Sequence, residues 1–147
     1  MILVDADLLL YAYDSSSAHH VVARDWLERV FSRPEPVRIA WITLLAFLRV
    51  STDSRLRGER FSPQEAVAII EEWRALPNFD LLAPGERHWE ILAGLLPASQ
   101  SRGPLVMDAD LAALAMEHGA LLCTTDRDFT RFPGLRWENP LVTARSL

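Results

Sequence analysis

Five short and mostly apolar segments are spaced along the chain. They cover residues 2–4, 38–40, 79–82, 120–124 and 135–137. Their length and composition predict β-strands. Strands of this kind are typical of a sheet with both faces covered, because neither face then needs polar side chains.

Longer segments between these runs carry apolar residues at helical spacing. In the segment 18–33, for example, Val22, Trp26, Leu27 and Val30 share one helical face. The same pattern predicts helices over residues 41–52, 62–76, 86–97 and 106–118. Since strands and helices alternate, we expect an α/β fold with a mostly parallel central sheet, whose functional site lies beyond the carboxyl ends of the strands.

Composition narrows the classes of function. The chain has 147 residues, half of them hydrophobic, and a formal net charge of −5, which suits one folded domain. All 15 basic residues are Arg. A P-loop NTPase and a Schiff-base enzyme both need a Lys, so the sequence excludes them. The acidic balance argues against broad, non-specific binding of nucleic acid, while a local basic patch stays compatible.

The lone cysteine, Cys123, leaves no internal disulfide and no cysteine-rich zinc site. The apolar runs are far shorter than the roughly 20 residues that span a bilayer. The first segment carries Asp5 and Asp7 within its apolar stretch, which is unlike a signal peptide. We therefore expect a cytoplasmic protein that does not bind membranes.

Three Asp-x-Asp pairs contain six of the ten aspartates. Asp5-Ala6-Asp7 and Asp126-Arg127-Asp128 each follow a predicted strand, and Asp108-Ala109-Asp110 lies at a helix start. Carboxyl ends of parallel strands share one edge of the sheet, so the first and last pairs are expected to lie at the same edge. If the helix that carries the middle pair enters at that edge, carboxylates from all three pairs converge. Converging carboxylates repel one another unless a cation neutralises them. Oxygen ligands favour Mg²⁺ or Mn²⁺, ions that activate water and bind phosphate oxygens.

Structural roles are the alternative for the same residues. An Asp after a strand often caps a helix, and this interpretation suits Asp7 and Asp110. Asp128 could order the following turn. For Asp5, Asp108 and Asp126 together we favour the metal site, since Asp5 directly ends a buried strand and needs a partner there. Thr124 and Thr125 are placed to hydrogen-bond a ligating carboxylate.

The sequence resembles the PIN domain family and, within it, the VapC toxins of bacterial toxin–antitoxin pairs. The opening MILVDADLLLYAYD is similar to the family's first strand with its acidic residue. The more specific match is DADLAALAMEHGALLCTTDRDFTRFPGLRW, from Asp108 to Trp137. This match combines an Asp, an Ala- and Leu-rich helix, His-Gly, a strand and Thr-x-Asp-x-Asp-Phe.

The resemblance implies a single three-layer α/β/α domain over residues 1–147 with a mostly parallel sheet. It implies a Mg²⁺-dependent endoribonuclease of RNA, with Mn²⁺ as an alternative ion, inhibited by a cognate VapB-like antitoxin and forming a homodimer. Carried over by position, Asp5 and Asp108 are the primary metal-binding acids. Asp126 is the later acid, and Asp128 is an accessory ligand.

One departure concerns the helix after the second strand, where the family commonly carries a Glu. Phe47 is interpreted as standing at that position, which puts a second metal in doubt, and Asp7 is a candidate for partial compensation. Arginines are candidate RNA contacts. Arg49 belongs to a strip with Arg55, Arg57 and Arg60, and Arg127 lies beside the acids.

Two other functions stay open. The motif Asp5-Ala6-Asp7 also resembles that of haloacid-dehalogenase phosphatases, although those enzymes normally use a Lys that is absent here. A catalytically weak PIN-like module that binds RNA or protein is the other alternative, supported by Phe47. Without the six paired aspartates, 14 acidic side chains face 15 Arg, so the acidic balance resides in the expected cation site.

Overall fold

A computed structural model describes residues 1–145 of the chain, and the last two residues of the predicted domain lie outside that range. Five parallel strands form one sheet in the order β3-β2-β1-β4-β5. They are β1 Ile2–Val4, β2 Val37–Ala40, β3 Phe79–Leu82, β4 Leu121–Cys123 and β5 Trp137–Glu138. The predicted parallel sheet is therefore confirmed, with the last strand displaced toward the C-terminus.

Seven α-helices accompany the sheet within the described residues. They are α1 Ala6–Ala12, α2 His20–Phe31, α3 Trp41–Ser51, α4 Pro63–Arg74, α5 His88–Ser99, α6 Leu105–His118 and α7 Pro140–Arg145. The expected capping box starts α4: Ser62 accepts from the Glu65 backbone N–H, and Glu65 accepts from that of Ser62. Gly119 ends α6 in the left-handed conformation, which glycine adopts without steric cost.

The sequence patterning did not predict α1 and α7. Asp5 caps α1, and Leu8, Leu9 and Ala12 are its buried residues. Their helical spacing was a usable signal, but the surrounding positions are apolar too, which hides it. Leu141 of α7 is buried in the same part of the core as the apolar face of α2, and the two helices are in contact.

The hydrophobic core has two parts, one on each face of the sheet. Ile2 and Val4 of β1 pack on the face covered by α1, α2, α3 and α4. Leu3, between them, packs on the other face, against α5, α6 and the segment around Phe129. This alternation is the two-residue period of a strand, and it confirms the predicted three-layer α/β/α architecture. No helix among residues 1–145 is both long and apolar enough to cross a bilayer.

The strand order places a topological switch point between β1 and β4. From β1 the chain proceeds outward to β2 and β3, then returns through α5 and α6 to β4 on the other side of β1. Val4 pairs with Cys123 in the register of these strands, and the Asp5 N–H donates to the Cys123 carbonyl at 3.0 Å. The acidic ends of both strands therefore meet where such folds bind their ligands.

Candidate active site

Among residues 1–145, three carboxylates lie close enough together to hold a metal ion, and we call them the acidic group. Asp108 lies in the first turn of α6, Asp126 follows β4, and Asp128 belongs to the 3₁₀ helix Arg127–Arg131. One oxygen from each lies within 4.8 Å of the others. Asp126 also accepts from the Asp128 backbone N–H at 2.8 Å, which fixes the turn that carries both. The structure thus brings together three of the four aspartates expected to bind metal.

Asp5 lies beside this group and lines the same cavity as Asp108. It is the N-cap of α1: one oxygen accepts from the Ala6 N–H at 2.7 Å, and the other accepts from the Thr124 hydroxyl at 2.8 Å. Each carboxylate oxygen has two lone pairs, so both can still face a cation. Asp5 therefore combines a capping role with a position suited to ligation.

Asp7 joins the start of α1 to the end of β4. One of its oxygens accepts from the Leu8 N–H at 2.7 Å, and the other accepts from the Thr125 N–H at 2.9 Å and from the Thr125 hydroxyl. Thr124, fully buried, donates to Asp5 and accepts from the Asp126 N–H at 3.0 Å. Both threonines therefore hydrogen-bond carboxylates of the site, as predicted.

Burial and mutual repulsion raise the pKa of two of these carboxyls, so that both stay protonated to a higher pH than an ordinary Asp. Burial, reinforced by the charge of Asp7, raises the pKa of Asp5 from 3.8 to about 7. Burial, reinforced by the charges of Asp126 and Asp128, raises the pKa of Asp108 to about 6, against the opposing charge of Arg131. An all-oxygen donor set with excess negative charge fits a hard divalent cation.

The raised pKa values of Asp5 and Asp108 predict that the folded protein loses stability as the pH rises. Because the folded pKa values exceed the unfolded value of 3.8, the folded chain holds protons between about pH 4 and 7 that the unfolded chain has released. The free energy of unfolding of the metal-free protein should therefore fall as the pH rises through this window. We expect a thermal midpoint several degrees lower at pH 8 than at pH 5, measured by calorimetry.

Added metal should reverse the effect only at high pH, because protonated carboxyls bind it poorly. Mn²⁺ at about 100 times its dissociation constant stabilises by about 2.7 kcal/mol. The same addition at pH 5 should shift the midpoint much less. Replacing the half-exposed Asp25, which lies on α2 away from the acidic group, with Asn should leave both responses unchanged. A metal-free midpoint that rises between pH 5 and 8 would contradict the prediction.

The structure corrects the interpretation of α3. Phe47 does not face the acids. It is fully buried in the part of the core that α1, α2, α3 and α4 cover, and its ring centroid lies 5.9 Å from that of Tyr13 and 5.0 Å from that of Trp73. Ala46, its neighbour, lines the cavity with Asp5 and Asp108. A Glu side chain at position 46 could therefore reach the acids, whereas one at 47 could not, because adjacent helical residues point about 100° apart.

The arginines divide into two groups. Arg49 lines the cavity that contains Asp5 and Asp108, and Arg127 is exposed directly after Asp126. Two other arginines of the predicted strip are held locally. Arg55 pairs with Asp53 at 3.0 and 3.1 Å, and Arg60 donates to backbone carbonyls. Arg49 and Arg127 are thus better placed for a substrate phosphate than these two.

Sequence reasoning missed a polar pair that ties α5 to α6. His88 is almost completely buried, and its Nε2 lies 2.6 Å from a carboxylate oxygen of Asp110. Asp110 is therefore neither a helix cap nor a member of the acidic group. Asp110 stands two residues after Asp108, and its bond to His88 fixes the turn of α6 that carries Asp108. The Asp108-Ala109-Asp110 spacing gave no signal for this partner, which is 22 residues away.

The model of the PIN domain family matches residues 2–135 of this chain. Ribonuclease VapC37 of Mycobacterium tuberculosis is 41% identical over 140 residues, covering 95% of this chain and 97% of the relative. Ribonuclease VapC33 of the same species is 35% identical over 141 residues, covering 96% of this chain and 99% of the relative.

Solved structures share the fold at lower identity. The Rickettsia felis VapBC2 complex bound to a promoter DNA fragment has a chain that matches with a TM-score of 0.69 and 17% identity, over 95% of this chain and 98% of that chain. Mycobacterium tuberculosis VapC20, a toxin that cleaves the sarcin–ricin loop, matches with a TM-score of 0.66 and 20% identity. This match covers 92% of this chain and 99% of that chain.

Proposed function

Because the chain belongs to the PIN domain family, we propose that it is a metal-dependent endoribonuclease, the toxin of a VapBC-type toxin–antitoxin pair. The observation that carries the proposal is the convergence of Asp108, Asp126 and Asp128 at the switch point of the sheet, with Asp5 lining the same cavity as Asp108. The ribonuclease names of its relatives support the RNA substrate.

Each site residue receives a role in this proposal. Asp108, Asp126 and Asp128, together with Asp5, would hold Mg²⁺ or Mn²⁺, which supplies an activated water and charge neutralisation at the phosphodiester. Thr124 holds Asp5 and the start of the Asp126 turn, and Asp7 holds the neighbouring Thr125. Arg49 and Arg127 bind phosphates that flank the cleaved bond. The chain therefore needs no covalent nucleophile of its own.

The direct test is cleavage of RNA by the purified chain with Mn²⁺ or Mg²⁺, and its loss on chelation with EDTA. Hydrolysis of p-nitrophenyl phosphate without RNA cleavage would instead support the dehalogenase-like phosphatase. Metal-independent RNA binding without cleavage would support the weak PIN-like module. The absence of Lys from the chain disfavours the phosphatase, and the convergence of Asp108, Asp126 and Asp128 favours the nuclease over a module without metal.

We further propose that a segment of the cognate VapB-like antitoxin occupies a groove of about 780 Å³ between α2 and α4. Apolar side chains line it: Leu27, Phe31, Phe61, Ile69, Trp73 and Leu76. Arg24, Glu28 and Glu72 supply charges of both signs among its lining residues. Trp73 forms the floor of this groove and, like Trp26 and Leu44, belongs to the buried core, whereas Trp41 is exposed at the start of α3.

A polar substitution inside this groove should weaken the complex. Ile69→Gln removes apolar contact area, so we expect the dissociation constant for the antitoxin to rise about ten-fold, measured by calorimetry. Val67→Gln on the same helix is the matched control, because Val67 is exposed outside the groove lining. Equal losses in both variants would refute the location.

We also propose a homodimer that acts in the cytoplasm. Large exposed side chains on two helices, Trp41 on α3 and Trp89 on α5, support self-association, since aromatic residues are enriched at interfaces. Sedimentation velocity over a range of concentrations measures it directly. The unpaired, buried Cys123 is compatible with a reducing compartment.

A further inference from the structure

A cavity of about 570 Å³ opens directly beside Asp5 and Asp108. Apart from these acids, Thr43 and Arg49, its lining is apolar and comes from α3 and α6: Ile42, Leu45, Ala46, Met107 and Leu111. Neither metal binding nor water activation requires an apolar wall. This part of the site therefore calls for a ligand group other than the metal and the phosphate.

The two outermost members of the wall are unusually exposed for their size. Leu45 is 59% exposed and Met107 is 55% exposed. Large apolar side chains that stay in water beside a polar site mark a surface that another group covers. Met is a flexible and polarizable residue, suited to packing against flat ligands of different outline. The wall thus fits a planar, apolar-faced group.

We propose that this cavity binds an unpaired nucleobase of the nucleotide next to the cleaved phosphodiester, a proposal that rests on the ribonuclease function above. The cavity volume falls within the range of about 300–1,000 Å³ that small-molecule sites show, which admits a base and part of its ribose. In RNA, the group closest to a phosphate that has apolar faces is the base.

The apolar wall also determines the kind of selectivity. A paired base is stacked inside a helix, whereas an unpaired base can turn out and pack against side chains. Leu45 and Met107 contact the faces of a base and form no hydrogen bonds with its edges. The cavity should thus select for an unpaired state and for stacking area, so that purines bind better than pyrimidines.

Arg49 provides the complementary charge on the same cavity. The acids repel a polyanion until a cation is bound, and Arg49 is the basic residue that lines the cavity with them. A guanidinium can bind two oxygens of one phosphate. It can therefore hold the phosphate of the bound nucleotide while the base lies against Leu45 and Met107.

The test uses the double variant Leu45→Asn/Met107→Gln and single-stranded RNA oligonucleotides that carry one 2-aminopurine at successive positions. Both replaced side chains are exposed and both new side chains are uncharged, so the fold and the charge of the acidic group should be retained. We expect 2-aminopurine fluorescence to respond at one position in the wild type, with Ca²⁺ present. In the variant the dissociation constant and KM should rise about ten-fold, with kcat and metal affinity within about two-fold of the wild type. Val21→Asn, exposed on α2, is the control.

The outcomes separate this proposal from the proposed function. Equal RNA affinity in variant and wild type overturns the base site even where RNA is cleaved. Variant-sensitive binding without cleavage in any metal supports the base site and removes the ribonuclease function. A change in sedimentation coefficient without a change in RNA affinity identifies the wall as a contact between two copies of the chain and overturns the base site.

Discussion

Replacing Asp5 with Asn should abolish RNA cleavage and, at the same time, stabilise the metal-free protein. The loss of activity should reach about 1,000-fold or more in kcat/KM, because a bound metal supplies several kcal/mol of transition-state stabilisation. The gain in stability arises because the charged form of Asp5 is disfavoured by burial and by Asp7, which raise its pKa to about 7. At pH 8 a neutral Asn avoids that cost, on the order of a few kcal/mol.

The local structure can accept this substitution. The Asn side-chain oxygen can still take the Ala6 N–H, which Asp5 accepts at 2.7 Å. The Thr124 hydroxyl can turn its proton to Asp7, whose oxygen lies 3.5 Å away. Asn therefore keeps the cap of α1 while it removes the charge, so that loss of activity cannot be attributed to loss of fold.

Single-turnover cleavage rates and thermal melts at pH 5 and pH 8 measure the two effects together. Asp25→Asn, which neutralises a half-exposed carboxylate on α2, should change neither. Cleavage by Asp5→Asn at the wild-type rate would remove Asp5 from the catalytic group. Inactivity combined with a lower midpoint at pH 8 would mean that Asp5 serves the fold more than the metal.

Much of the fold followed from the period of the apolar residues. Helices α2 to α6 and the first four strands lie within two residues or so of their predicted bounds, since each packs one face or both faces into the core. The acidic site followed from a different regularity, namely that Asp5 and Asp126 end neighbouring parallel strands. Here β1 and β4 are adjacent because the chain crosses from β3 to the other side of β1, an order that the sequence pattern did not specify.

Two features of the site could not be predicted from the sequence, because they depend on which side chains of different helices meet in the folded chain. Asp110 has its partner, His88, on another helix, and no local pattern encodes such a pair. The interpretation that placed Phe47 on the face of α3 toward the acids was also wrong. Leu44, Ala46 and Phe47 belong to one apolar stretch, so helical periodicity alone does not tell which position faces the core and which the cavity.

The α3 correction leads to a contrast between adjacent substitutions. Phe47→Glu should prevent folding, because it removes an aromatic ring packed between Tyr13 and Trp73 and buries a charge there. Removing a buried Phe costs about 3–5 kcal/mol, and an unpaired buried charge costs several more. Together these approach the whole stability of a typical domain, about 5–15 kcal/mol. Circular dichroism and solubility measure the result, with Phe47→Leu as the folded control.

Ala46→Glu should instead fold and bind metal more tightly. Ala46 is half-buried at the cavity with Asp5 and Asp108, so a Glu there adds a carboxylate to the acidic group. More ligand charge raises the affinity for a divalent cation, and we expect about a ten-fold lower dissociation constant for Mn²⁺ by calorimetry. Ala46→Gln separates charge from size and should leave the affinity near that of the wild type. Tighter binding by the Gln variant as well would show that the added side chain acts by packing, and a folded Phe47→Glu protein with tighter Mn²⁺ binding would restore position 47 to the site.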